Sequence, residues 1–267
     1  MRTEAASGGR PARAYRLAWA ALQVATLALI GLFLSAGVAR AAGAGAPLMS
    51  AGNDIHNVAS LQRGARNFMN YCAGCHSAQF VRYNRIAADL QIPESELKAN
   101  LMFTGGRPFD TIRTAMSAED ARRWFGNAPP DLSLIARSRG PDYLYTFLKT
   151  FYADPTKAAG VNNLVLPGTA MPHVLAPLQG LQVAEFEKVE HRGVTTEEFR
   201  QFQLIQKGAL SPAEYEGFVR DTVNFLEYIG EPVQAKRQRL GVWVLLFVLL
   251  FTVLAYLLKK EYWKDVR

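Results

Sequence analysis

Apolar residues fall into three kinds of run along this chain. From Leu17 to Val38, and again from Leu240 to Leu258, they are nearly continuous, and either run is long enough to cross a bilayer. Between them, Leu61, Ala65, Phe68 and Cys72 recur at the spacing of one helical face. That period predicts a helix over Ser60–Tyr71 with Arg63, Arg66 and Asn67 turned toward water. A second face, Tyr215, Phe218, Thr222, Phe225, Leu226 and Ile229, follows Ser211-Pro212 and Glu214. These supply an N-cap, a proline at the first helical position and a capping-box acid, and Gly230 with Pro232 ends the helix. Val183 to Lys207 keeps neither period. It is polar with scattered apolar residues, and only His191-Arg192-Gly193 suggests the turn of a short hairpin. The expected fold class is mainly α.

The flanks of the two long runs separate their roles. Arg10, Arg13 and Arg16 precede the first, and Ala39 and Ala41 in "VARAAGAGAP" follow it as an A-x-A cleavage site. Residues 1–41 therefore read as a signal peptide that is cleaved, with an uncleaved anchor as the alternative. The second run, 19 residues without a charge, is bracketed by Lys236, Arg237 and Arg239 and by Lys259, Lys260, Lys264 and Arg267. Trp243, Tyr256 and Trp263 suit the membrane interfaces. Basic residues on both flanks barely choose an orientation, but an exported leader leaves the C-terminal tail in the cytoplasm. The division is then a leader at 1–41, an exported domain at 42–235, and an anchor with a short tail at 236–267, the span itself covering 240–258.

Composition excludes two classes. Apolar residues at 49% and charged residues at 20% do not describe a disordered chain. Of the seven units of net positive charge, four sit in the leader, where five arginines face one acid, Glu4. The rest holds no basic cluster interleaved with aromatics, so nucleic acid is not an expected partner.

The chain has two cysteines, both in "NYCAGCHSAQFVRY". A disulfide between Cys72 and Cys75 would close a very short loop and constrain the unfolded chain little. A redox dithiol of this spacing belongs beside a βαβ pattern, which is absent. Zinc would need a second pair to complete its tetrahedron. C-x-x-C-H remains, the attachment signature of c-type haem, in which His76 follows the two thioether-forming cysteines and is held under the iron. The opposite ligand decides between electron transfer and small-molecule chemistry. Met69 lies on the attachment helix. Met102 and Met116 flank "FTGGRPFDTI" and read equally as core fillers. Met171, in "LPGTAMPHVL", sits in a loop constrained by Pro167-Gly168 and Pro172 and is the favoured candidate, with His173 next. His56 and His191 read as solvated.

Together these residues resemble the cytochrome c1 family, the membrane-anchored c-type cytochromes of the quinol–cytochrome-c reductase (cytochrome bc1) complex. "CAGCHSAQFVRY", "NAPPDLSLIARSRGPDYLYTFL" and the Pro167-Gly168 to Met171 loop carry the likeness through most of the mature chain. The resemblance implies a c-type haem domain with one C-terminal transmembrane helix, and one covalent haem c ligated by His76 and Met171. It implies that Pro130, Arg139 and Tyr143 contact the cofactor, Arg139 near a propionate; Arg137 and Arg139 as ordinary solvated helix residues is the alternative. It implies electron transfer from a Rieske iron–sulfur subunit to a soluble cytochrome c, beside cytochrome b, in a dimeric complex. The haem domain would lie in the periplasm, moored to a bacterial inner membrane. The likeness also implies that the 211–230 helix crosses the attachment helix. No residue need act as nucleophile or general base. The rival functions are an anchored cytochrome serving a terminal oxidase or reductase directly, a haem enzyme or gas sensor with an open iron site, and a subunit whose haem is only structural.

Overall fold

The computed structural model describes residues 47–191 and 194–265. The expected leader, 1–41, and the Arg192-Gly193 turn lie outside the described residues. In chain order the elements are α1 (Val58–Tyr71), β1 (Ala78–Arg82), α2 (Tyr83–Asp89), α3 (Glu94–Asn100), β2 (Thr111–Ile112), α4 (Ala118–Phe125), α5 (Ile135–Arg139) and α6 (Pro141–Lys149). Then follow β3 (Phe151–Ala153), β4 (Val161–Asn163), α7 (Ala176–Gln179), β5 (Gly180–His191), β6 (Val194–Lys207), α8 (Pro212–Gly230) and α9 (Gln234–Tyr262).

The two periodic faces found each other. α1 starts at Asn57, whose side chain accepts the Ser60 N–H, and buries Leu61, Gly64, Ala65 and Phe68. α8 begins with the full Ser211–Glu214 capping box and stops at Gly230. The helices cross so closely at Gly64 that an added Cβ would lie 2.0 Å from the Asp221 carbonyl oxygen and 2.6 Å from Phe225 Cβ. Phe68 and Phe225 meet beside that contact with centroids 5.7 Å apart, both fully buried. Truncating either ring in such a core typically costs about 3–5 kcal/mol. One expectation fails here. Asn67 is buried, not turned to water. Its amide donates to Thr222 Oγ1 (3.1 Å) and the Phe218 carbonyl (3.3 Å), so a polar pair is sealed inside the crossing with its hydrogen bonds made.

α5 and α6 pack on the other flank of α8, where the Tyr215 hydroxyl donates to the Leu148 carbonyl (2.8 Å). Three two-stranded antiparallel ribbons complete the domain: β1–β2, β3–β4 and β5–β6. The last corrects the short hairpin expected at 191–193. Its strands run 12 and 14 residues, paired from Gly180↔Lys207 to His191↔Val194. Gln182, Ala184 and Phe186 pair with Leu204, Phe202 and Phe199, so these six share one face. At its base Gln182 donates to the carbonyls of Phe151 (2.7 Å) and Lys149 (3.1 Å).

α9 contains the expected 240–258 span and extends it at both ends, with no buried residue among its 29. At about 1.5 Å per residue it exceeds the roughly 30 Å hydrocarbon layer, and the mean hydropathy of its most apolar window is 2.6. It fits a membrane anchor. Where it leaves the domain, Glu231 accepts hydrogen bonds from Arg137 Nη1 (2.6 Å) and Arg237 Nε (2.6 Å), tying α5 to the first turns of α9.

Candidate functional site

α1 does not end cleanly at Tyr71. The next residues make another helical turn, with the N–H groups of Cys75 (3.0 Å) and His76 (2.8 Å) both donating to the Cys72 carbonyl. That turn puts Cys72, Cys75 and His76 on the wall of one cavity of about 340 Å³, together with Pro130, Arg139, Tyr143 and Met171. Apolar side chains from several elements fill in the rest, among them Leu132 and Leu144, Phe147 of α6, and Phe218 and Leu226 of α8. All seven residues expected at the site are therefore brought together.

The imidazole is oriented by one contact. His76 Nδ1 lies 2.7 Å from the Pro130 carbonyl oxygen. A carbonyl can only accept, so Nδ1 carries the proton and the lone pair belongs to Nε2. Burial lowers the His76 pKa, opposed by that hydrogen bond and by the charge of Asp131. The hydrogen bond fixes the tautomer and burial favours the neutral ring, which leaves one free nitrogen, the form a metal requires. Burial, and secondarily Cys75, pushes the Cys72 thiol up to about 12.

Met171 arrives on a loop shaped by asparagines. Gly168 adopts φ +76°, a conformation open to glycine, and its N–H donates to Asn162 Oδ1 (2.8 Å). Asn163, fully buried, accepts the N–H groups of Val165 (3.0 Å) and Leu166 (3.2 Å) on Oδ1. His173, the runner-up for this position, is not on the cavity wall. Its ring stacks on Phe151 at 4.9 Å and 3°, and burial lowers its pKa to about 4. Met69 is buried in the core, Met102 packs against it, and His56 is exposed; none of them, nor Met116, lines the cavity. The His191 side chain lies outside the described residues.

Arg137 and Arg139 have different surroundings. Arg137 is held by Glu231. Arg139 has no acidic partner among the described residues; it lines the cavity from an exposed position, its guanidinium 5.5 Å from the Tyr143 ring centroid.

The donor set fits a covalently held haem: two thiols at attachment spacing, an imidazole with Nε2 free, a thioether, apolar walls and a cation for a carboxylate. The volume lies in the range of ligand pockets. Among the described residues no cluster of histidine, cysteine and acid could hold a bare metal ion instead. Four residues of the site escaped sequence reading: Asp131, Ser133, Asn162 and Asn163. The D-x-S of "PPDLS" is an Asx-turn signal that could have revealed the first two.

Comparison with known proteins gives the chain its relatives. The model of the Cytochrome C1 family matches residues 51–183 and 204–266, leaving out the outer part of the β5–β6 hairpin. The chain is 53% identical over 226 residues to the cytochrome c1 of Allochromatium vinosum, covering 85% of this chain and 92% of that one. It is 43% identical over 240 residues to a protein of Nitrosomonas europaea named ammonia monooxygenase gamma subunit, with 89% and 97% covered. The cytochrome c1 of Rhodospirillum rubrum is 28% identical over 234 residues, with 78% and 82% covered. Members of the family carry covalently bound haem c. The chain belongs to the cytochrome c1 family and is a membrane-anchored c-type cytochrome.

Proposed function

We propose that this chain relays single electrons from a Rieske-type iron–sulfur subunit to a soluble cytochrome c, as the c-type haem subunit of a quinol–cytochrome-c reductase. The observation that carries this is the pairing of a Pro130-oriented imidazole with Met171 on the wall of one apolar cavity. Histidine–methionine ligation raises the potential and closes the metal to exogenous ligands, which suits transfer and not activation. Names borne by its relatives support the same assignment.

Haem c supplies the one-electron ferric–ferrous change; the protein supplies everything that makes the change useful. Cys72 and Cys75 anchor the cofactor covalently. His76 offers Nε2 and Met171 its sulfur. The apolar wall excludes water, which keeps the reorganisation around the metal small. Arg139 would offer a propionate paired donors, and its guanidinium lies over the Tyr143 ring. No side chain of the site needs to move a proton or attack a substrate.

α9 holds the site beside the membrane and docks against cytochrome b, in a dimeric complex. A leader at 1–41 exports residues 42–235 to the periplasm of a bacterial cell and leaves the tail after α9 in the cytoplasm. A visible spectrum of the full chain, with its pyridine derivative, checks the ligation: a low-spin spectrum with a methionine–iron charge-transfer band is expected. Co-purification in mild detergent with a cytochrome b and an iron–sulfur protein checks the complex. Avid carbon monoxide binding by the reduced protein at neutral pH would overturn the relay, and recovery with a terminal oxidase alone would reassign its partner.

A further inference from the structure

His76 and the Pro130 carbonyl that orients it are 54 residues apart, so something must hold the two segments in register. Residues 77–80 and 131–133 run side by side. The Leu132 N–H donates to the Ser77 carbonyl (2.8 Å), the Gln79 N–H to Asp131 Oδ2 (2.9 Å), and the Phe80 N–H to Ser133 Oγ (3.1 Å). Asp131 Oδ1 turns back and accepts the Ser133 N–H (2.9 Å). Asp131 thus spends one oxygen on each segment, and Ser133, fully buried, locks the far end. The choice of acid is chemical. Two donors converge on a group that must only accept, whereas asparagine would set an NH₂ against one of them.

We infer that Asp131 is a positioning residue for the proximal imidazole: it holds the Pro130 carbonyl on His76 Nδ1 and thereby sets how strongly Nε2 donates to the iron. This rests on the haem ligation proposed above. An acceptor on the outer nitrogen makes a histidine ligand more basic. A more basic ligand favours the ferric over the ferrous state, and a carboxylate in the same neighbourhood acts with the same sign. Asp131 therefore holds the potential below the value that the ligands alone would set.

The test is Asp131→Asn and Ser133→Ala in the full-length membrane protein. Midpoint potential and the hyperfine-shifted NMR resonances of the His76 ring are read on haem-loaded material. Asp131→Asn is expected to raise the midpoint and shift the ring resonances, and Ser133→Ala to move both less in the same direction. Unchanged midpoint and resonances in loaded Asp131→Asn would overturn the inference, even with a lowered melting temperature, because the contact would then be structural only. If Asp131→Asn fails to load haem, Ser133→Ala decides by the same two readouts. A wild-type protein without the histidine–methionine signature would instead sink the ligation reading.

Discussion

His76 is held by groups gathered from distant parts of the chain, whereas Met171 is held by its own neighbours in sequence. On the imidazole side α1 is pinned by α8 through a contact with no room for a Cβ, and the ring is oriented by Pro130 through a latch of four further hydrogen bonds. On the thioether side Asn162 and Asn163 shape the loop, and Met171 itself is only half-buried. One of the two proposed ligands belongs to the cooperative core and the other to a local unit. A local unit can open at a free energy well below that of global unfolding. The imidazole should therefore leave the metal only when the domain unfolds, and the sulfur should leave first.

The strongest way to break this asymmetry is at the helix crossing. Gly64→Val places side-chain atoms where the Asp221 carbonyl and Phe225 already stand. Overpacking of ordinary cores costs about 1–3 kcal/mol, and a backbone contact this short puts the substitution at or beyond the upper end. The expected outcome is a chain that does not accumulate with haem, measured as the haem-to-protein ratio in membranes. A normally loaded, normally stable variant would show that the crossing does not support the imidazole side.

Met171→Ala comes next, because it removes the proposed second ligand and leaves the fold. The midpoint should fall far, and the reduced protein should bind carbon monoxide. The melting temperature should change little in comparison, since the loop's hydrogen bonds come from asparagines and not from the thioether. Equal midpoint and no carbon monoxide binding would remove Met171 from the metal.

How much of this was readable beforehand follows the same divide. C-x-x-C-H, the apolar face of α1 and the Ser211–Glu214 cap are local patterns whose meaning needs no partner, and each appears as read. Asn67 misled because a polar residue beside an apolar stripe looks solvated until its partner, Thr222, is known. Pro130 could be placed only by family likeness, since it acts through a backbone carbonyl that any residue possesses. The long hairpin was hidden by the register shift between Glu185 and Phe186. That shift breaks the two-residue period of β6, so Phe199 and Phe202 look out of phase although both pair with residues on one face of β5, Phe186 and Ala184. Asn162 and Asn163 stabilise turns several residues away, and side chains that act on other residues' backbones leave no spacing signal.

A gentler perturbation sharpens the comparison without deleting a ligand. Asn163→Ala strips the Val165 and Leu166 N–H groups and the buried Thr150 hydroxyl (3.3 Å) of their acceptor and the Phe147 carbonyl of a donor (2.8 Å). Water reaches the half-buried Val165 and exposed Leu166, so the net cost should be about 2 kcal/mol, within the range for such losses. Expressed wholly as loop opening, this is roughly a 30-fold larger open fraction. Cyanide binding to the ferric protein, which requires the sulfur to leave, should accelerate by up to that factor. The imidazole resonances should stay where they are. A shift of both sides together would mean that the two ligands share one cooperative unit after all.

The smallest expected effect tests the rim. Arg139 is exposed and lines the cavity, while Arg137, two residues away on α5, is engaged by Glu231 and does not line it. A positive charge near the metal disfavours the ferric state, so Arg139→Gln should lower the midpoint, opposite in sign to Asp131→Asn. Solvent limits the effect to no more than about 1 kcal/mol. Because the guanidinium is open to water, added salt should shrink the difference from wild type as the screening length falls below about 8 Å. Arg137→Gln should leave the midpoint unchanged at every ionic strength. If both variants shift it equally, the potential responds to the net charge of the domain and not to a guanidinium placed at the cavity. Arg139 would then be an ordinary surface residue, and only the His76 and Met171 sides would remain of the comparison.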